Sequence, residues 1–458
     1  MTQYTAGVVV KQVKPKPRPR YHYCILGIVL FLLLLLPVSY FADNIAALLT
    51  SSSNTNTTSS EDRKMATPSD LSMLSTSLNT FTWDLYKSLT RGADDPSGNL
   101  LFSPLSIATT LAMTLSGTNS NTKQQLSEVL HLQEHPAVAA AFSSIISKYK
   151  SSDDGADCIL RTANLMYVSN MLEMRQQFAE VITGQYKAAA KTVDFGGKTE
   201  EIRLEINSAV ENETNSKIKN LIPLGVLNGL TRLVLVNAVY FKGLWMKSFD
   251  KLDTVQRPFH TSETESVMVP MMHKSADFVT QYHKDLEATV LNMEYKGSNL
   301  SMVIVLPDAR TGLAALEEKM SGFDMKTLLP RNMKTKVEVF LPRFKLEYSN
   351  DLVKTLSGLG AEDLFLPGKS DLSGIGGPPG DLFVSNVLHK TFMEVNEEGT
   401  EAAAATAMIA MTRAMFRPPP PFVADHPFIF ILQDNHFNIT LFAGRYTTPD
   451  VSADKEEL

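Results

Sequence analysis

Apolar residues between Pro68 and Leu89 recur at spacings of three and four: Leu71, Leu74, Leu78, Phe81, Leu85 and Leu89. That period lines one face of a helix and predicts an amphipathic helix from Pro68. Further along, the period changes. Arg232–Phe241 and Ser301–Leu306 are short apolar runs, the pattern of buried strands. Val337, Val339 and Leu341 alternate with Lys336, Glu338 and Phe340, as in a strand with one buried face. Phe392–Val395, Phe428–Leu432 and Asn438–Arg445 add three strands, the last two reading as a pair. Helices dominate the first half and strands the second, without regular alternation or internal repeat. The fold class is therefore α+β, not a doubly wound sheet.

The ends of the chain read differently. Residues 1–23 carry Lys11, Lys14, Lys16, Arg18 and Arg20 and no acid. Residues 24–42 are uncharged and close to the ~20 residues of a membrane-spanning helix. A basic flank before an apolar run predicts passage into the secretory pathway. The run is either a cleaved signal peptide or an uncleaved anchor. Its length and Tyr40 near the expected cut favour the anchor, with 1–23 cytosolic and everything after Asp43 lumenal or extracellular. Residues 43–70, rich in Ser, Thr and Asn, read as a linker. The tail 450–458 ends Lys455-Glu456-Glu457-Leu458, which resembles an endoplasmic reticulum retrieval signal and implies a retrieval receptor as partner. Glycosylation sequons begin at Asn56, Asn212, Asn299 and Asn438, Asn56 being the most exposed by context.

Charge and motifs narrow the function. A net charge of -6 argues against nucleic acid, which needs a basic surface. Zinc-type Cys/His spacing, a phosphate-binding loop and a Gly-x-Ser-x-Gly elbow are missing from the sequence, so neither a metal nor a cofactor is expected, nor an enzyme. Cys24 and Cys158 lie in unlike contexts and are not expected to pair.

One segment stands out. Asn396–Pro427 is far too long a connection between two strands for a compact domain, and such connections are usually functional. Its Ala run favours a helix by propensity. Read as a strand instead, Thr400, Ala402, Ala404, Thr406, Met408, Ala410 and Thr412 share one uncharged face. Glu401 and Arg413 fall on the other. No Pro precedes Pro418, so every N–H up to Arg413 can join a ladder. The segment is placed as a loop and composed like a central strand.

The chain resembles the serpin family over about residues 72–449. Asn99-Leu100-Leu101-Phe102-Ser103-Pro104-Leu105-Ser106-Ile107 is similar to one motif of the family. Leu235-Val236-Asn237-Ala238-Val239-Tyr240-Phe241-Lys242-Gly243 with Trp245 resembles a second. His389-Lys390-Thr391-Phe392 followed by Glu394–Ala402 resembles the third and most specific. Asp425-His426-Pro427-Phe428 and Leu441-Phe442-Ala443-Gly444-Arg445 complete the set. The loop before Arg413 and the acidic C-terminal Leu resemble the neuroserpin branch. Two positions depart from the family pattern: Ala209, often Trp, and Ser216, often Gly.

The resemblance implies a serpin domain over 71–449, with helices packed on a large central sheet, two further sheets and an exposed reactive-centre loop. It implies an inhibitor that traps a serine protease when its cleaved loop inserts into the sheet. The scissile bond falls fourteen residues after the hinge glycine, at Arg413–Ala414, which suits a trypsin-like protease. The hinge comprises Glu397, Gly399, Thr400, Glu401, Ala402, Ala403, Ala404, Ala405 and Thr406. Ser103, Ser106, Asn237 and His389 match a buried cluster where the sheet opens. Trp245, Arg343 and Glu397 match a group where the loop first inserts, an Arg–carboxylate pair there holding the hinge out. A monomer is expected. The alternative is a non-inhibitory serpin acting as a secretory-pathway chaperone or binding protein.

Overall fold

The structure, a computed structural model, describes residues 66–92, 97–132, 137–150, 157–297, 299–320, 323, 327–328, 333–398 and 420–450. The segments 1–23 and 24–42, residues 43–65 with the Asn56 sequon, and the tail from 451 lie outside them. So do residues 399–419, with hinge positions Gly399–Thr406 and the Arg413–Ala414 bond.

The helix expected from Pro68 is α1, Pro68–Gly92. β1 (Leu100–Phe102) leads into α2 (Pro104–Leu115), α3 (Ser120–Val129) and α4 (Val138–Lys150). Then come β2 (Cys158–Ser169), α5 (Gln176–Gly184), β3 (Ala189–Val193), α6 (Thr199–Glu213) and β4 (Leu233–Gly243). β5 (Val255–His260), β6 (Ser266–His283), β7 (Ala288–Glu294) and β8 (Leu300–Pro307) precede α7 (Leu313–Met320). The chain continues with β9 (Lys334–Pro342), β10 (Phe344–Asp351), α8 (Val353–Gly358) and β11 (Val384–Val395). β12 (Pro421–Val423), β13 (Phe428–Asp434) and β14 (Ile439–Tyr446) complete it.

A central five-stranded sheet runs in the order β10-β11-β4-β2-β3. β10 pairs antiparallel with β11 and β2 antiparallel with β4, but β11 and β4 are parallel. Strand alternation sorts β4 into two faces. Val234, Val236, Ala238 and Tyr240 pack with Ile202, Ile206 and Val210 of α6. Leu233, Leu235, Val239 and Phe241 point into the main core with Leu105, Leu111 and Met113 of α2. Asn237 falls on the core face by the same alternation. A strand covered on both faces must be apolar throughout, which is why β4 was legible as a continuous run. β11 begins well before the expected Phe392, because its first half mixes Ser385, Asn386, His389 and Lys390 with apolar residues and hides the period.

The second sheet has nine strands, in the order β1-β14-β13-β8-β7-β6-β9-β12 with β5 on β6. The two smaller sheets anticipated from the sequence are thus joined by one long strand. β6 pairs with β5 and β9 over its first part and with β7 over its last. β12 is a three-residue edge strand parallel to β9.

The two departures from the family pattern lie on and just beyond α6. Ala209 is half-buried against the apolar layer between α6 and the sheet. Ser216 has φ 58° and is exposed. A left-handed backbone costs a residue with a Cβ about 1–2 kcal/mol, while glycine's extra freedom in the unfolded chain offsets part of that. Ser216→Gly is therefore expected to stabilise the fold by about 0.5–1 kcal/mol, read as a rise in the urea unfolding midpoint.

Candidate functional site

Asn237 and His389 stand directly opposite each other on the parallel pair β4–β11. Asn164 of β2 is opposite Asn237 on the other side. One row of polar side chains therefore crosses three strands. α2 lies beneath it. Ser103, Ser106 and Thr110 are spaced by three and four, so they share the helix face turned to that row.

The hydrogen bonds assign every role. The Ser103 N–H donates to His389 Nε2 at 3.2 Å, so that nitrogen carries a lone pair. Nδ1–H must then donate to Asn237 Oδ1, 2.5 Å away. The Asn237 amide donates onward to Ser106 Oγ at 2.5 Å and Asn164 Oδ1 at 2.6 Å, and Ser106 Oγ donates to Asn164 Oδ1 at 2.9 Å. Ser103 Oγ donates to the Leu441 carbonyl and Thr391 Oγ1 to the Leu101 carbonyl. His389 is fully buried and Asn237 nearly so. Burial pushes the His389 imidazole down to about 3. A second ring proton would also point at the Ser103 N–H, donor against donor. Buried polar groups in such a network are costly to part.

A second group lies where β11 ends. Trp245 Nε1–H donates to the Asn396 carbonyl at 2.9 Å, and its indole stacks on Tyr295 with centroids 4.3 Å apart. The Phe249 N–H donates to the Glu397 carbonyl at 2.9 Å. Thr254 Oγ1 donates to Glu397 Oε1 at 2.8 Å, where Glu397 is only 3% exposed. Lys251 pairs with the Glu398 carboxylate. The three residues before the loop are thus each held by the segment 245–254.

Of the sequence-derived positions, the structure brings Ser103, Ser106, Asn237 and His389 together, and places Trp245 beside Glu397. Arg343 follows β9, its N–H donating to the Pro270 carbonyl at 2.8 Å. Asn212 and Asn299 are exposed, whereas Asn438 Nδ2 is buried. Asn164, Thr110, Lys251 and Thr254 were missed. Asn164 and Asn237 share one signal that could have found the first: a lone Asn inside an apolar strand.

The site thus consists of a polar-bridged parallel seam and a held segment at the end of one of its strands. The family model described as Serpin (serine protease inhibitor) matches residues 76–449, and the chain belongs to this family. Human leukocyte elastase inhibitor is 40% identical over 385 residues, covering 83% of this chain and all of that protein. Bovine serpin B8 is 41% identical over 372 residues, 81% of this chain and 98% of that one. Among solved structures, Serpin48 of Tenebrio molitor superposes with a TM-score of 0.73 at 36% identity, covering 82% of this chain and 98% of that one. The likeness to the neuroserpin branch is confined to the loop and tail, whereas the likeness to leukocyte elastase inhibitors spans the domain.

These relatives correct the expected localisation. Leukocyte elastase inhibitor and the serpin B proteins are intracellular serpins, which overturns the placement in the secretory pathway read from residues 1–42 and the C-terminal tetrapeptide. Among the described residues, no helix is long and apolar enough to cross a membrane.

The His389 network sets a pH dependence. The folded ring titrates near 3, whereas a free histidine titrates near about 6.5. Below about 6.5 the unfolded chain therefore takes up a proton that the folded chain refuses. The contribution of His389 to stability is complete above that pH and declines as pH falls towards 3. Unfolding midpoints in urea measured across this range are expected to fall more steeply for wild type than for His389→Gln.

Proposed function

We propose that this serpin inhibits a trypsin-like serine protease, trapping it covalently after cleavage at Arg413–Ala414. The observation that carries this reading is the parallel β4–β11 seam with the hinge at its end. Chain that leaves β11 at Val395 and turns back into the seam runs antiparallel to β11. Because β4 is parallel to β11, it runs antiparallel to β4 as well. One parallel ladder is exchanged for two antiparallel ones, which are the better hydrogen-bonded kind. The segment 400–412 suits that place: its inward face is uncharged and mostly small, and no Pro removes a donor.

Cleavage frees the loop, and insertion then carries the acyl-enzyme ester on Arg413 with it. Arg413 suits a specificity pocket with a buried carboxylate. It does not suit the small pocket of an elastase, so the target in the name of the leukocyte elastase inhibitors does not transfer here. Arg417 is followed by Pro418, which hinders cleavage there. Ala410 stands where furin-type proteases want a basic residue.

Full-length protein mixed with trypsin is expected to give a detergent-resistant complex and a released fragment beginning at Ala414. Cleavage without a complex would instead place the chain among serpins that bind rather than trap. Arg413→Ala should slow association with trypsin by about a hundredfold or more; an unchanged rate would refute the assigned bond. Thr400→Arg puts a charge on the inward face, where burying it unpaired is costly. That variant should be cleaved as a substrate, and a normal yield of complex from it would contradict strand insertion.

A further inference from the structure

The chain re-enters the described fold through β12, whose three residues pair, among the described residues, with β9 alone. So short an edge strand holds little by itself. The corner that follows it is better fixed. Phe422 and Ala424 are buried, and the Ala424 N–H donates to the Phe340 carbonyl at 2.9 Å. The His260 N–H, at the end of β5, donates to the Asp425 carbonyl at 2.7 Å. His426, 6% exposed, reaches both ways: Nε2 lies 2.7 Å from the Pro307 carbonyl at the end of β8, and Nδ1 lies 2.8 Å from Asp425 Oδ1.

A backbone carbonyl oxygen can only accept, and an ionised carboxylate can only accept. Both ring nitrogens therefore have to donate. We propose that His426 is held as a doubly protonated imidazolium, and that this cation is a positioning residue that clamps the distal end of the reactive loop. The consequence for the loop rests on the inserting-strand reading above; the charge state of the ring does not.

The surroundings agree. Burial alone would raise the Asp425 carboxyl, but the hydrogen bond from His426 and the positive charges of His426, His260 and Arg310 hold it below the usual carboxylate range. Asp425 is therefore an anion and cannot supply the missing proton. A neutral His426 keeps the bond to Pro307 and turns a lone pair towards that anion. The ionised pair becomes a repulsion, and Asp425, with 28% of its side chain exposed, is free to turn to water. The folded corner thus favours the charged ring. That stabilisation goes when the ring gives up its second proton.

An uncleaved loop is tethered at both ends. It can run far into the β4–β11 seam only if β12 lets go, so the charge on His426 sets how long the intact protein stays competent. The test uses full-length wild type, His426→Gln and His426→Arg, held over a series from mildly acidic to mildly alkaline pH. The readout is the rate at which uncleaved chain passes into a form that resists urea. Losing one charge-assisted hydrogen bond predicts about a tenfold rise in that rate with pH for wild type. The Gln variant should be fast at every pH and the Arg variant slow at every pH. An Arg variant that follows the wild-type profile, or a Gln variant as slow as acidic wild type, overturns the clamp.

Nitrogen NMR of the folded wild type is the second measurement, and needs no loop movement. Two protonated nitrogens on His426 at neutral pH are expected, and a neutral ring overturns the assignment. Should no form convert at any pH in any of the three proteins, release of β12 does not govern the uncleaved loop and the clamp fails in that role, whereas cleavage-driven insertion is judged separately by the trypsin complex. The cation is then judged by thermal unfolding: a midpoint that falls with rising pH in wild type but not in His426→Arg supports it, and parallel profiles overturn it.

Discussion

The parallel ladder between β4 and β11 is the weak line on which the rest of the molecule depends. Most strand pairs around it are antiparallel, and a parallel pair is slightly less stable per residue. It is reinforced on both faces. On the core side, His389 and Asn237 bridge the two strands through a fully assigned, buried network anchored on α2. On the α6 side, Lys390 Nζ donates to the Lys219 carbonyl at 2.8 Å and pairs with Glu347 at 2.6 Å, so the segment after α6 is tied to β11. Admitting a strand moves β4 and β11 apart by about 4.8 Å. No hydrogen bond survives such a displacement, so the network across the seam must break in the same event.

The residues on either side of the segment 399–419 are held by polar contacts as well as by apolar packing. Directional bonds are strong while they are made and are lost completely once the geometry changes. Trp245, Phe249, Lys251 and Thr254 hold residues 396–398, and the Asp425–His426 corner holds the return into β13.

The sequence was most readable where one physical demand acted alone. α1 showed its period because one face is buried and the other wet. β4 showed as a run because both its faces are covered. The segment 396–427 carries a conflict, a long connection with the composition of a buried strand, and its residues 399–419 lie outside the described residues. The seam was half legible: Ser103, Ser106, Asn237 and His389 came from motifs. Asn164 and Thr110 did not, because a single polar residue in a strand or helix says nothing about which other element it faces. The hinge contacts to Lys251 and Thr254 were hidden for the same reason, lying on a turn whose position only the tertiary fold decides. The ends misled: a basic flank and an apolar run follow one local pattern, and the relatives identified across the whole domain outweigh it.

The most direct test of strand insertion is the structure of the full-length chain after cleavage at its reactive loop. The account predicts a six-stranded central sheet, with residues from Thr400 onward lying between β4 and β11 and antiparallel to both, and with the Asn237–His389 hydrogen bond broken. A cleaved chain that keeps the β4–β11 parallel ladder and that hydrogen bond intact would contradict it.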